Sequence, residues 1–219
     1  MMIPNLKTTV SKLIAFFTML LFTAVQQAFA QQDAQYTQYM YNTVSVNPGY
    51  AGSRGHMSIA ALHRSQWVGL DGAPSTQTLN IHSPIGFNGV GLGMSIVNDK
   101  IGPTSETYFD IDFSYTINTS TDGRLSFGLK GTGHLLDVRF SELNQIAPDT
   151  SLEQDIDNRF SPNFGAGVYY HTDKFYAGLS VPRILQTVHF KDGPAPSTAK
   201  EQMNFYFITG YVWDLNPNL

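Results

Sequence analysis

From Thr107 to Ile117 the chain reads TYFDIDFSYTI: Phe109, Ile111, Phe113, Tyr115 and Ile117 share one parity, and Tyr108, Asp110, Asp112, Ser114 and Thr116 the other. A period of two belongs to a strand whose two faces meet different surroundings. The same alternation predicts eight strands, at about 57–67, 74–83, 89–97, 104–117, 124–137, 161–171, 174–181 and 203–213. In the third, Val90, Leu92, Met94 and Ile96 oppose Gly91, Gly93 and Ser95; in the fifth, Leu125, Phe127, Leu129 and Leu135 oppose Ser126, Lys130, Thr132 and His134. Two architectures fit. A soluble sandwich turns its apolar face to a core, whereas a membrane barrel turns it to lipid and the polar face to a wet interior.

The first thirty residues bear on that choice. Lys7 and Lys12 precede the apolar run Leu13 to Val25, and Ala28-Phe29-Ala30 follows it, which is the order of a secretory signal peptide with a mature start near Gln31. The run is too short for the roughly 20 residues of a transmembrane helix, and no later stretch approaches that length. A membrane location for the mature chain therefore means strands closed into a barrel. Most predicted strands are near the 9–11 residues that a tilted membrane strand requires. The two long connections, Val138 to Phe160 and Pro182 to Gln202, leave on the same side, as in barrels with short periplasmic turns and longer external loops.

Composition narrows the function classes. There is no cysteine, which removes disulfide frameworks and thiolate metal sites. Two of the 13 basic residues lie in the leader, so the mature chain sets 11 against 17 acids, a balance that disfavours nucleic acid. Glycine recurs on the strands at 91, 93, 128, 131, 133, 165, 167, 178 and 210, where it suits strong curvature or a crowded interior. Ahead of the first strand, Asp33 is placed to cap a short helix from Ala34 to about Asn42, a candidate plug for the barrel mouth, and Asn47-Pro48-Gly49 predicts a turn.

Few residues suggest chemistry. Asp110 and Asp112 share one strand face, which is the placement for acid/base work but equally for a polar lumen lining balanced by Lys130, Arg64 or Lys174. With His134 they form the predicted lumen lining. Histidines at 56, 63, 82, 134, 171 and 189 lack metal-ligand spacing, and the acidic stretch with Glu142, Asp149, Glu153, Asp155 and Asp157 lacks the order of a calcium loop. A triad of the Ser126, His134 and Asp110 type has no G-x-S-x-G to mark its nucleophile. No enzyme, metal or cofactor is expected. Gln66 and Trp67, closing the first strand, are placed for an interfacial belt or a partner contact.

Four stretches together resemble the PorP/SprF family of type IX secretion system membrane proteins of Bacteroidota: QYTQYMYNTVSVNPGYAGSRG (35–55), ALHRSQWVGLDGAPSTQTLNIHSPI (61–85), GVGLGMSIVNDKIGPTSE (89–106) and DFSYTI (112–117). NFGAGVYYHTDKFYAGLSVPRIL (163–185) continues the likeness more loosely. The resemblance implies an all-β, antiparallel outer-membrane β-barrel with lipid on the Phe109 face. It also implies work with type IX secretion system components, such as a peptidoglycan-binding lipoprotein, in exporting or anchoring secreted proteins such as gliding adhesins. The alternative is a passive porin or solute transporter. Family members continue further, and Asn216-Pro217-Asn218 reads as a turn into another strand, so the reading divides the chain into a leader (1–30), an N-terminal segment or plug (31–56) and an incomplete barrel (57–219).

Overall fold

Outward alternation of large apolar side chains goes with a single curved sheet, and among the described residues no second layer covers those faces. The computed structural model describes residues 39–86, 89–142, 155–186 and 203–213. The leader, the helix segment from Ala34 to Gln38, Asp149 and Glu153, and the chain end at 214–219 lie outside the described residues. Eight strands pair in strict sequence order: β1 (Ser58–Ser65), β2 (Ser75–Ile85), β3 (Val90–Ile101), β4 (Thr104–Asn118), β5 (Arg124–Val138), β6 (Ile156–His171), β7 (Phe175–Val181) and β8 (Tyr206–Tyr211). Every neighbouring pair is antiparallel, and the sheet curls into a half-barrel whose outermost strands, among the described residues, are β1 and β8. This is the antiparallel transmembrane β-barrel class of fold.

All eight predicted strands form, with shifted ends. β3 runs on to Ile101, and β6 begins at Ile156 rather than 161, so part of the expected acidic loop is strand. The pattern stops short there because outward residues turn polar while backbone pairing continues: Asn98, Asp99 and Lys100 pair with Thr107, Glu106 and Ser105. Gly102, at positive φ, and Pro103 close that hairpin.

The outer face carries a band of exposed apolar side chains, among them Ile59, Leu79, Ile81, Leu92, Met94, Phe109, Ile111, Phe113, Leu129, Phe164 and Leu179. On β5 the band extends from Leu125 to Leu135, roughly 33 Å along the strand and about 25 Å of depth at a tilt near 40°. That depth matches the apolar belt of a membrane barrel. Two outward glycines interrupt it, and at Gly133 the gap is covered by the ring of Phe160, 3.1 Å from where a Cβ would stand. A polar row, His63, Gln77, Asn98 and Thr107, bounds the band at one end, with Asn98 Nδ2 donating to Thr107 Oγ1 at 2.9 Å. At the other end the apolar residues run down to the short connections 86–89, 119–123 and 172–174. Strands therefore overshoot the band, among the described residues, on the side where connections 66–74, 102–103, 139–155 and 182–205 leave.

Candidate functional site

The inner face reverses the outer one: Asn80, Ser95, Asp110, Asp112, Ser114, Ser126, Lys130, Thr132, His134, Asn163 and Ser180 are all buried there. Register assembles them into rows across the strands. Asn80, Ser95, Asp110, Thr132 and Asn163 form one row over β2 to β6, and His82, Gly93, Asp112, Lys130 and Gly165 the next.

Lys130 sits directly opposite Asp112 and holds both predicted carboxylates, with Nζ 3.0 Å from Asp112 Oδ1 and 3.3 Å from Asp110 Oδ2. Thr132 Oγ1 donates to the other Asp110 oxygen at 2.7 Å, and Lys130 Nζ donates to the Val44 carbonyl at 3.4 Å. Asp112 is fully buried, and its Oδ2 has no hydrogen-bond partner among the described residues. Two buried carboxylates share one cation, so the cluster is a three-membered strut and not an isolated pair.

Nearer the overshooting strand ends, the ring of His134 stacks on Tyr108 at 4.3 Å between centroids and 7° between planes. Glu106 accepts from the Tyr108 hydroxyl and lies 3.6 Å from His134 Nε2. Arg183 caps the other side of Tyr108, 4.0 Å from its centroid. Asn163 brings Arg183 there: its Oδ1 accepts from the backbone N–H groups of Ile184 (3.0 Å) and Leu185 (2.9 Å), and its Nδ2 donates to Leu185 O (2.8 Å). The chain leaving β7 thus folds back across the inner wall.

The N-terminal segment occupies the wall below this cluster. Thr43–Val46 form one helical turn, α1, although the sequence TVSV is rich in β-branched residues that disfavour helix. Side-chain bonds and the wall hold it: Thr43 Oγ1 donates to Met40 O, Ser45 Oγ to Asn42 O, and Ser180 Oγ of β7 to Val46 O at 2.8 Å. The helix expected to end near Asn42 is corrected, since residues 39–42 form turns and a bend and the helix starts at Thr43. The expected turn at Asn47-Pro48-Gly49 is present as a 3-10 turn, Pro48–Tyr50, capped by Asn47 Oδ1 accepting from Gly49 N–H at 2.9 Å.

Small residues make the berth. A third inner row runs Pro84, Gly91, Ser114, Gly128, Gly167 and Ser180. A Cβ on Gly128 would stand 2.1 Å from Gly49 N, and one on Gly167 2.2 Å from Asn47 Oδ1, so only glycine permits the backbone to lie this close. Ser114 Oγ donates to Ala51 O at 2.6 Å, and Gly52 N–H donates to His82 Nδ1 at 3.2 Å. Tyr50 packs edge-on against Tyr169 and His82.

Of the residues singled out by sequence, Asp110, Asp112 and Lys130 come together and His134 joins a neighbouring cluster on the same wall. Lys174 lies in the β6–β7 turn at the far strand end, and Arg64 on the inner side of β1. Ser126 pairs with Thr116 Oγ1 at 2.7 Å and is eight residues from His134 along one strand, about 26 Å away, so no triad forms. Gln66 and Trp67 lie beyond the end of β1, with Trp67 at φ 48° and largely exposed. Sequence reading missed Asn47, Ser114, Ser180 and the inner glycines as a matched set; inward parity is the signal that marks Ser114, Ser180 and the glycines.

A family model described as type IX secretion system membrane protein PorP/SprF matches residues 28–219. Comparison with curated proteins finds no match, and comparison with solved structures finds none.

Proposed function

Because the chain belongs to the PorP/SprF family of type IX secretion system membrane proteins, we propose that it is a non-enzymatic outer-membrane adaptor of that system. It helps export secreted proteins or anchor them at the surface, gliding adhesins among them, and links the barrel to periplasmic machinery such as a peptidoglycan-binding lipoprotein. The signal peptide delivers it across the inner membrane. The overshooting strands and the long connections face the exterior, with Trp67 at that rim for lipid or partner contact, and the short turns face the periplasm.

The observation that carries this reading is the berth: the chain's own residues 43–52 lie along the inner wall, bonded to β2, β4, β5, β6 and β7. A filled wall suits a binding component, whereas a passive porin keeps its lumen clear. The charged lining Asp110, Asp112 and Lys130 is the feature that favours the porin alternative. Affinity purification from outer membranes, beside single-channel recording of the reconstituted protein, separates the two. The adaptor recovers type IX components and is electrically silent; steady conductance with no such partners overturns it.

A further inference from the structure

At the end of the wall marked by the short turns, a cavity of about 470 Å³ opens between the N-terminal segment and the ends of β3 to β6. Its lining includes Asn118, Arg124 and His171, together with Ser53, Ala51 and Pro84, and no carboxylate. Asn118, Arg124 and His171 are direct cross-strand neighbours, Asn118 opposite Arg124 and Arg124 opposite His171, and all three have inward parity. The register therefore aims an amide, a guanidinium and an imidazole into one space.

Two features mark this row as built for a ligand. The Arg124 side chain makes no hydrogen bond or ion pair among the described residues, and the buried Nδ1 of His171 has no hydrogen-bond partner there. A guanidinium facing a neutral imidazole meets no repulsion, but protonating that imidazole is unfavourable unless an anion lies between the two. Asp173, in the β6–β7 turn, is the carboxylate whose field reaches His171, and it does so from outside the cavity lining.

We infer that this cavity binds a carboxylate-bearing peptide, the acidic residue or chain end of a protein partner, through Arg124 with His171 and Asn118. The planar guanidinium fork matches a carboxylate, and the volume holds one or two residues of peptide against the apolar wall of Ala51 and Pro84. The cavity stands on its own geometry; only the assignment of the partner to the periplasm rests on the proposed topology.

The test uses the full chain in detergent and a dye-labelled tetrapeptide, Gly-Ser-Gly-Asp with a free C-terminus, against Gly-Ser-Gly-Asn amide. Fluorescence anisotropy should show saturable binding of the acidic peptide alone. Arg124→Gln should weaken it at least about tenfold, Arg124→Lys less, and Arg54→Gln, on a residue outside the cavity lining, not at all. Heat-modifiable migration verifies that each variant is folded. Equal binding of both peptides, no binding of either, or an unchanged affinity in folded Arg124→Gln overturns the site. Inorganic phosphate that binds while the acidic peptide does not overturns the carboxylate assignment. Because micelles expose both faces, these outcomes are independent of whether type IX partners co-purify.

Discussion

Asn47 and Val168 are 121 residues apart in sequence and joined by one hydrogen bond, from Asn47 Nδ2 to the Val168 carbonyl at 3.1 Å. The same side chain caps its own 3-10 turn through Oδ1 and is almost completely buried, so it serves both ends of the contact between segment and wall. Asn47→Ala removes both bonds and leaves the buried Gly49 N–H without its acceptor. The expected loss is about 1–3 kcal/mol per orphaned group, read as a lower urea midpoint with unchanged slope for protein folded in lipid vesicles.

Lys130 is shared by two carboxylates that have no other cation within ion-pair reach among the described residues. Lys130→Met should cost about 3–5 kcal/mol because it strands buried charge. The triple change to Asp110→Asn, Asp112→Asn and Lys130→Met should recover most of that loss. Equal unfolding midpoints for the single and triple variants would show that packing, and not charge, sets the effect.

Gly128→Val puts side-chain atoms where Gly49 and Pro48 now lie. The segment must leave its berth or the wall must shift, at about 1–3 kcal/mol. Limited trypsin digestion of the variant should cut at Arg54 faster than in the parent. Gly131→Ala is the matched control, since a Cβ at Gly131 meets nothing within 4 Å.

Depth in the apolar band sets the cost of an outward charge. Leu129→Arg, in the middle of the band, should destabilise by about 2–4 kcal/mol, and Asn98→Arg, in the polar row, by about 0–1. Folding yields into vesicles of increasing acyl-chain length provide the measurement; indistinguishable yields would place the membrane elsewhere.

Asp155 accepts from Ser141 N–H at 2.9 Å and from Ser141 Oγ at 2.7 Å, and these bonds hold its carboxyl below the ordinary value. A depressed folded value means that its contribution is complete above the ordinary carboxylate range, near pH 4, and disappears as pH falls through the lower folded value. Protection of the Ser141 amide, its exchange rate relative to the intrinsic rate at each pH, should fall on acidification in the parent, while in Asp155→Asn that pH step should vanish.

The strands were legible because each separates two environments, and period-two alternation is the direct record of that. Inward parity also identified Asp110, Asp112 and Lys130. Pairing was not legible: nothing local says that Lys130 stands opposite Asp112 and not one pair away, since register follows from the β4–β5 turn. Strand ends were misjudged where outward residues become polar, as at Asn98, and where the register shifts, as at Ile156. The helical turn at Thr43–Val46 was not legible because it is held by bonds to Ser180 and Lys130, far along the chain, against its own propensity. The cavity at Arg124 and His171 was invisible because 46 residues of sequence separate two direct neighbours.

The bond from Ser180 to Val46 spans 134 residues. Residues 43–52 precede every strand in sequence, yet their hydrogen-bonding partners on β2, β4, β5, β6 and β7 arrive only as synthesis proceeds. The segment is therefore a mandrel: the wall is wound around a piece that by itself has almost nothing to fold against. Such long-range closure makes for slow maturation, and in an intermediate lacking β7 the mandrel is held at Val44, Asn47, Ala51 and Gly52 while Val46 still waits for its bond.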